Sequence, residues 1–121
     1  MNSALFRAPR TKQQIEREWL AENPEAYQAL VFMTGRDVRN GTPPSIGYYF
    51  EVLRRPWTWD FEIAQIMERG PVRPTGHTYS CNNSIRSLLA RRIEREYFDG
   101  ADIFAKRRSE ADPVMCPAAR P

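Results

Sequence analysis

The stretch NPEAYQALVFMTGRDVRNG, residues 23–41, decides the fold. Asn23 suits the residue that caps a helix, and Pro24 suits the first helical position, where a missing N–H costs nothing. Behind them Tyr27, Leu30, Val31, Thr34 and Val38 fall at i, i+3, i+4, i+7 and i+11. That spacing is one stripe of an amphipathic helix, expected to be its buried side. Phe32 and Met33 lie off the stripe and hint at a second buried face, such as a dimer seam. Arg36, Arg39 and Asn40 suit the negative end of the helix dipole, and Gly41 suits its stop.

Upstream, Thr11 and Gln14 make a capping box for a helix bearing Ile15, Trp19 and Leu20, interrupted at Asn23-Pro24. Downstream, Thr42-Pro43-Pro44 is a rigid link, and Ser45 caps a short helix with Ile46, Tyr49, Phe50 and Leu53 on one face. That helix ends at Arg55, ahead of Pro56. Ile63, Ile66 and Met67 predict a further short helix over Phe61–Arg69, stopped by Gly70; strand stays open for Trp57–Ile63. Gly70–Gly76, GPVRPTG, is a turn or the tip of a hairpin whose return arm is His77–Cys81. A last strong helix runs over Ser84–Phe98 and closes at Asp99-Gly100, after which Ala101–Phe104 can dock back on the core.

These elements make a mainly α chain: one compact helical domain over residues 11–105, a flexible arm at 1–10 and a flexible tail at 106–121. Helix-turn-helix and winged-helix variants, the latter with one small hairpin, both remain open. The length of 121 residues fits one domain, and 41% apolar against 27% charged residues supports a folded core. The ten prolines gather at the connections. Cys81 and Cys116 form no CxxC pair, and with His77 as the only histidine they make no usual zinc set. No metal or cofactor is expected. Neither a signal-peptide pattern nor a run of roughly 20 apolar residues is present, so the expected address is the cytoplasm, with no membrane contact.

The net charge is +3, and Arg dominates it, Lys12 and Lys106 being the only lysines. Arg gives bidentate contacts to phosphate and guanine that Lys cannot copy, although codon bias produces the same composition. What distinguishes the chain is the placement of arginine on the last helix. On a helical wheel Ile85, Leu88, Leu89 and Ile93 gather on one side, with Tyr97 at the margin. Asn83, Ser87, Arg91 and Glu94 line the other, flanked by Arg86 and Arg95. One face is expected to be buried and the other to meet a DNA major groove, with Asn82, Asn83, Arg86 and Ser87 in the leading turn and Arg91 and Arg95 behind. The competing reading is a capping Asn and a solvated, ion-paired face that includes the i,i+4 pair Arg92–Glu96. The long interval between Arg55 and Asn83 exceeds the short turn of a standard helix-turn-helix. Arg73, between two prolines, is a candidate for a minor groove or a phosphate, and Lys106-Arg107-Arg108 for further phosphates.

Two stretches carry a family resemblance. EREWLAENPEAYQALVFMTGRDVRNG (Glu16–Gly41), with its ENP-x-x-Y helix start, and TYSCNNSIRSLLARRIEREYF (Thr78–Phe98), with its aromatic-x-x-Asn-Asn run before a helix, resemble small uncharacterised proteins encoded by tailed phages and prophages. The segment Trp57–His77 is longer than that pattern expects, and Cys81 replaces a larger apolar residue. The resemblance implies a phage accessory protein acting in a bacterial host and supplies no activity or functional residue.

Catalysis is the least favoured class. The acids Asp60/Glu62, Glu94/Glu96 and Asp99/Asp102 sit at spacings typical of solvated segments, and no nucleophile–base set or phosphate loop accompanies them. The rival to DNA binding is a module that binds a host protein or a second copy of itself. Trp57, Trp59, Tyr48 and Phe61 around Pro56 are residue types enriched at interface hot spots. The first expectation for such a cluster in a small domain is that it fills the core.

Overall fold

The computed structural model describes residues 9–104; residues 1–8 of the arm and the whole tail 106–121, with the basic run 106–108 and Cys116, lie outside them. Five α-helices follow one another: α1 (Lys12–Glu22), α2 (Pro24–Asn40), α3 (Ile46–Arg54), α4 (Phe61–Met67) and α5 (Asn83–Tyr97). A 3₁₀ turn at Pro56–Thr58 joins α3 to the loop before α4. The chain is mainly α, and the described residues contain no strand. The expected hairpin is therefore not formed: residues 77–82 run without regular structure into α5. Trp57–Ile63, where strand stood open, is the 3₁₀ turn followed by the start of α4.

Local capping explains most boundaries. Thr11 Oγ1 accepts from the Gln14 N–H at 3.1 Å, and the Gln14 side chain accepts the Thr11 N–H at 2.7 Å. Ser45 caps α3 through the Tyr48 N–H at 3.2 Å. Asp60 caps α4 through the Ile63 N–H at 2.9 Å, which the strand alternative had obscured. That hydrogen bond, together with Arg36 alongside, holds the Asp60 carboxyl below its ordinary range despite some desolvation. Gly41 ends α2 with φ of 75°, a left-handed value that glycine adopts without strain. Asn23 departs from its expected role: its side chain makes no cap bond for α2. Its Nδ2 donates instead to the Trp19 carbonyl at 3.0 Å, closing α1.

α2 lies at the centre, against α1, α3 and α4, while α5 packs on α1 and α3. Ala26, Ala29, Leu30, Met33 and Thr34 of α2 are buried, as are Tyr49, Phe50 and Leu53 of α3, Ile63 of α4, and Ile85, Leu89 and Ile93 of α5. The α2 stripe is thus wider and rotated from the expected one: Val38 is 39% exposed and Met33 only 3%. Neighbours on three sides bury more than one row of side chains. Met33 is therefore part of this chain's own core and is not free for the dimer seam suggested at Phe32–Met33. Phe32 is half-buried, with the Arg36 guanidinium 5.0 Å from its ring centre.

Polar links tie the helices where apolar contact ends. Arg92 Nε meets Glu16 at 2.9 Å and its Nη1 meets Glu96 at 3.1 Å, and the Tyr27 hydroxyl donates to Glu96 at 2.7 Å. On the other side of α2 the Tyr49 hydroxyl donates to Asp37 at 2.5 Å. Burial, then the carboxylate each phenol bonds, pushes Tyr27 and Tyr49 well above the ordinary tyrosine range. Removal of either proton would leave a phenolate facing a carboxylate in a poorly solvated place.

Candidate interaction surfaces

The amphipathic sidedness expected of α5 is present in its apolar row and in its leading turns. Ile85, Leu89 and Ile93 are buried and Leu88 half-buried, while Asn83 and Ser87 are exposed. Asn82 is the cap, its side-chain oxygen accepting the Ile85 N–H at 3.0 Å. Further along the polar face one residue is covered. Glu94, placed by the wheel among exposed residues, is 4% exposed. Its Oε2 accepts the N–H groups of Ile103 and Phe104 at 2.9 and 3.1 Å. The chain reverses after α5 through Asp99 and Gly100, at φ of 54° and 78°, and Phe104 returns to stack edge-on against Tyr49 at 6.5 Å. A helical wheel cannot register a segment that folds over the helix from beyond its end.

The arginines expected to meet DNA are mostly engaged within the fold. Arg91, expected to be exposed, is half-buried and pairs with Glu94 at 3.2 Å and Asp102 at 3.4 Å. Arg86 donates from Nε to the Cys81 carbonyl at 3.1 Å and lies 4.9 Å from the centre of the Phe50 ring. Burial pushes the Cys81 thiol up to about 11, against the opposing pull of Arg86, which leaves it protonated and unreactive near neutrality. Arg95 is exposed.

Arg73 is held inside the 68–82 connection. Its Nη2 donates to the carbonyl of Glu22 and meets the Glu25 carboxylate at 3.0 Å. The guanidinium lies 5.4 Å from the centre of the Tyr79 ring, whose other neighbour is His77, edge-on at 4.4 Å. Tyr79 reaches this position with φ of 58°, which a bulky side chain rarely adopts. Burial and the nearby Glu25 carboxylate raise its phenol above the ordinary range. Gly70 completes the arrangement, because a Cβ there would come within 2.3 Å of Glu25 Cδ. The loop is therefore fastened to the α1–α2 elbow, and Arg73 serves as the fastening. A half-open cleft of about 160 Å³ beside Glu25 is lined by Pro24, Gln28, Ile66 and Arg69, smaller than the roughly 300 Å³ at which small-molecule sites begin.

The aromatic cluster is where structure and sequence expectation differ most. Only Trp59 faces inward, its indole Nε1 donating to the Val52 carbonyl at 2.8 Å. Trp57 is 80% exposed, Phe61 74% and Tyr48 64%. The 3₁₀ turn accounts for the division: Thr58 Oγ1 bonds the Arg55 carbonyl at 2.7 Å, and with Trp59 filling the inner place, Trp57 is left in solvent. Charges of both signs surround the corner. Glu51 pairs with Arg54 and with Arg55, each at 3.3 Å, and Arg36 pairs with Asp60 at 2.5 Å and reaches Glu62 at 4.0 Å.

Among the described residues no group of three or more His, Cys, Asp or Glu side chains could hold a metal, and no helix is long and apolar enough to cross a membrane. Comparison with protein-family models, with curated proteins and with solved structures returned no match.

Proposed function

We propose that this chain is a protein-binding module whose docking surface is the corner between α3 and α4, built on Trp57 and Phe61 with Tyr48 along the adjoining helix. The exposure of Trp57 carries this reading. A tryptophan left four-fifths in water gains nothing for folding and adds apolar area that a partner can cover.

Duplex DNA is the second reading, resting on the exposed row Asn83, Ser87 and Arg95. It has less support because Arg73, Arg86 and Arg91 are committed to contacts inside the fold, and recruiting them for phosphate would break those contacts. Corner and α5 are told apart by placing a photoreactive benzophenone amino acid at position 57 or at position 87, in the cells that make the protein. Irradiation is expected to give a discrete protein adduct from position 57, lost when Phe61→Ala is added, and none from position 87. Adduct formation from position 87 alone, or an unaltered adduct with Phe61→Ala, would contradict the proposal.

A further inference from the structure

We infer that the occupant of the α3–α4 corner is a second copy of this chain, docked around a two-fold axis near Trp57. This rests on the proposed binding role of the corner and adds the identity of the partner.

Charge favours a second copy. The segment Arg54-Arg55-Pro56-Trp57-Thr58-Trp59-Asp60-Phe61-Glu62 places two cations before the exposed tryptophan and two anions after it. With Glu51 and Arg36, which bond these groups, three positive charges balance three negative ones on a chain whose overall charge is +3. A strongly acidic or basic partner finds no matching field on such a rim. A two-fold axis does produce a match, because it sets the basic side of one copy against the acidic side of the other, and the same patch serves both.

Area points the same way. Aromatic side chains offer about 150–250 Å² each. At their observed exposures the separate contributions of Trp57, Phe61 and Tyr48 add up to roughly 400 Å² of exposed aromatic side chain. That is about half of the roughly 800 Å² that each partner contributes to a standard interface. The remainder falls to a charged rim, the usual anatomy of an interface between separately folded partners. Glu51 of α3 and Arg55, at its C-cap, belong to that rim.

Charge reversal tests the pairing. Arg55 and Glu62 have side chains 49% and 63% exposed, so reversing either should leave the fold intact, as circular dichroism and melting would verify. In sedimentation equilibrium the wild-type chain is expected to self-associate, and Arg55→Glu and Glu62→Arg each to weaken that association at least tenfold. An equimolar mixture of the two variants is expected to regain most of it, because each then meets its opposite. A wild-type chain that stays monomeric up to millimolar concentration would overturn the inference, as would a mixture no tighter than either variant alone. Were a monomeric chain still to give a Phe61-dependent adduct from position 57 with a different protein, the binding role of the corner would stand and only the second copy would be wrong.

Discussion

Arg73→Ala is expected to lower the stability of the folded chain by about 3 kcal/mol, an unusually large effect for a residue in an irregular loop. Glu25 has a side chain only 1% exposed, and Arg73, at 19%, is the cation it meets. Removing the guanidinium leaves a carboxylate uncompensated in a place water does not reach, and this desolvation outweighs the modest net worth of the pair itself. Two lesser losses add to it: the hydrogen bond to the Glu22 carbonyl and the contact with the Tyr79 ring. Lysine at this position should recover part of the loss, because it restores charge without the planar fork. Urea unfolding followed by circular dichroism measures the change. A shift below about 0.5 kcal/mol would instead mark Arg73 as an ordinary surface residue, free for the phosphate or minor-groove contact that its place between two prolines suggests.

The second large effect is expected at Glu94. Its carboxylate is 5% exposed and joins Arg91 to the N–H groups of Ile103 and Phe104. Alanine would leave two amide donors without their acceptor and loosen the return segment that buries Phe104. The combined cost is about 2–3 kcal/mol, by the penalty for unsatisfied buried donors. Glutamine keeps an accepting oxygen and should lose less. Native-state hydrogen exchange at residues 103 and 104 is the sensitive readout, and protection there is expected to collapse in Glu94→Ala before the rest of α5 responds. Unchanged protection would show that Phe104 is held by apolar contact alone.

Helices were legible from sequence wherever a boundary is set by nearby residues. The Thr11–Gln14 box, the Ser45 cap and Gly41 all act within one turn, and each is found where the pattern placed it. The buried row Ile85, Leu89 and Ile93 was legible for the same reason. What escaped depends on residues distant along the chain. Glu94 is buried because residues 101–104 fold over it, and Arg73 is fixed because Glu25 lies under the loop. Trp57 and Trp59 illustrate the limit at the candidate site. They are chemically identical and two residues apart, yet Val52 offers its carbonyl to only one of them. The corner was recognisable as an aromatic cluster, but which members face solvent follows from the 3₁₀ turn. Asp60 is the one missed feature with a local signal, an acid immediately before a helix start, and it was hidden by reading Trp57–Ile63 as either strand or helix.

On the proposed reading the Trp57 corner, rather than the polar face of α5, is the interacting surface, and a second copy covers it. A dilution series of the ¹⁵N-labelled chain, from about millimolar to the low micromolar range where weak interfaces dissociate, tests this directly. Concentration-dependent shifts are expected at the Trp57 indole N–H and at the amides of Tyr48, Arg55, Phe61 and Glu62, with Asn83, Ser87 and Arg95 unmoved. Resonances at the corner that hold still across the series, while duplex DNA displaces those of residues 83–95 in a salt-sensitive manner, would contradict it.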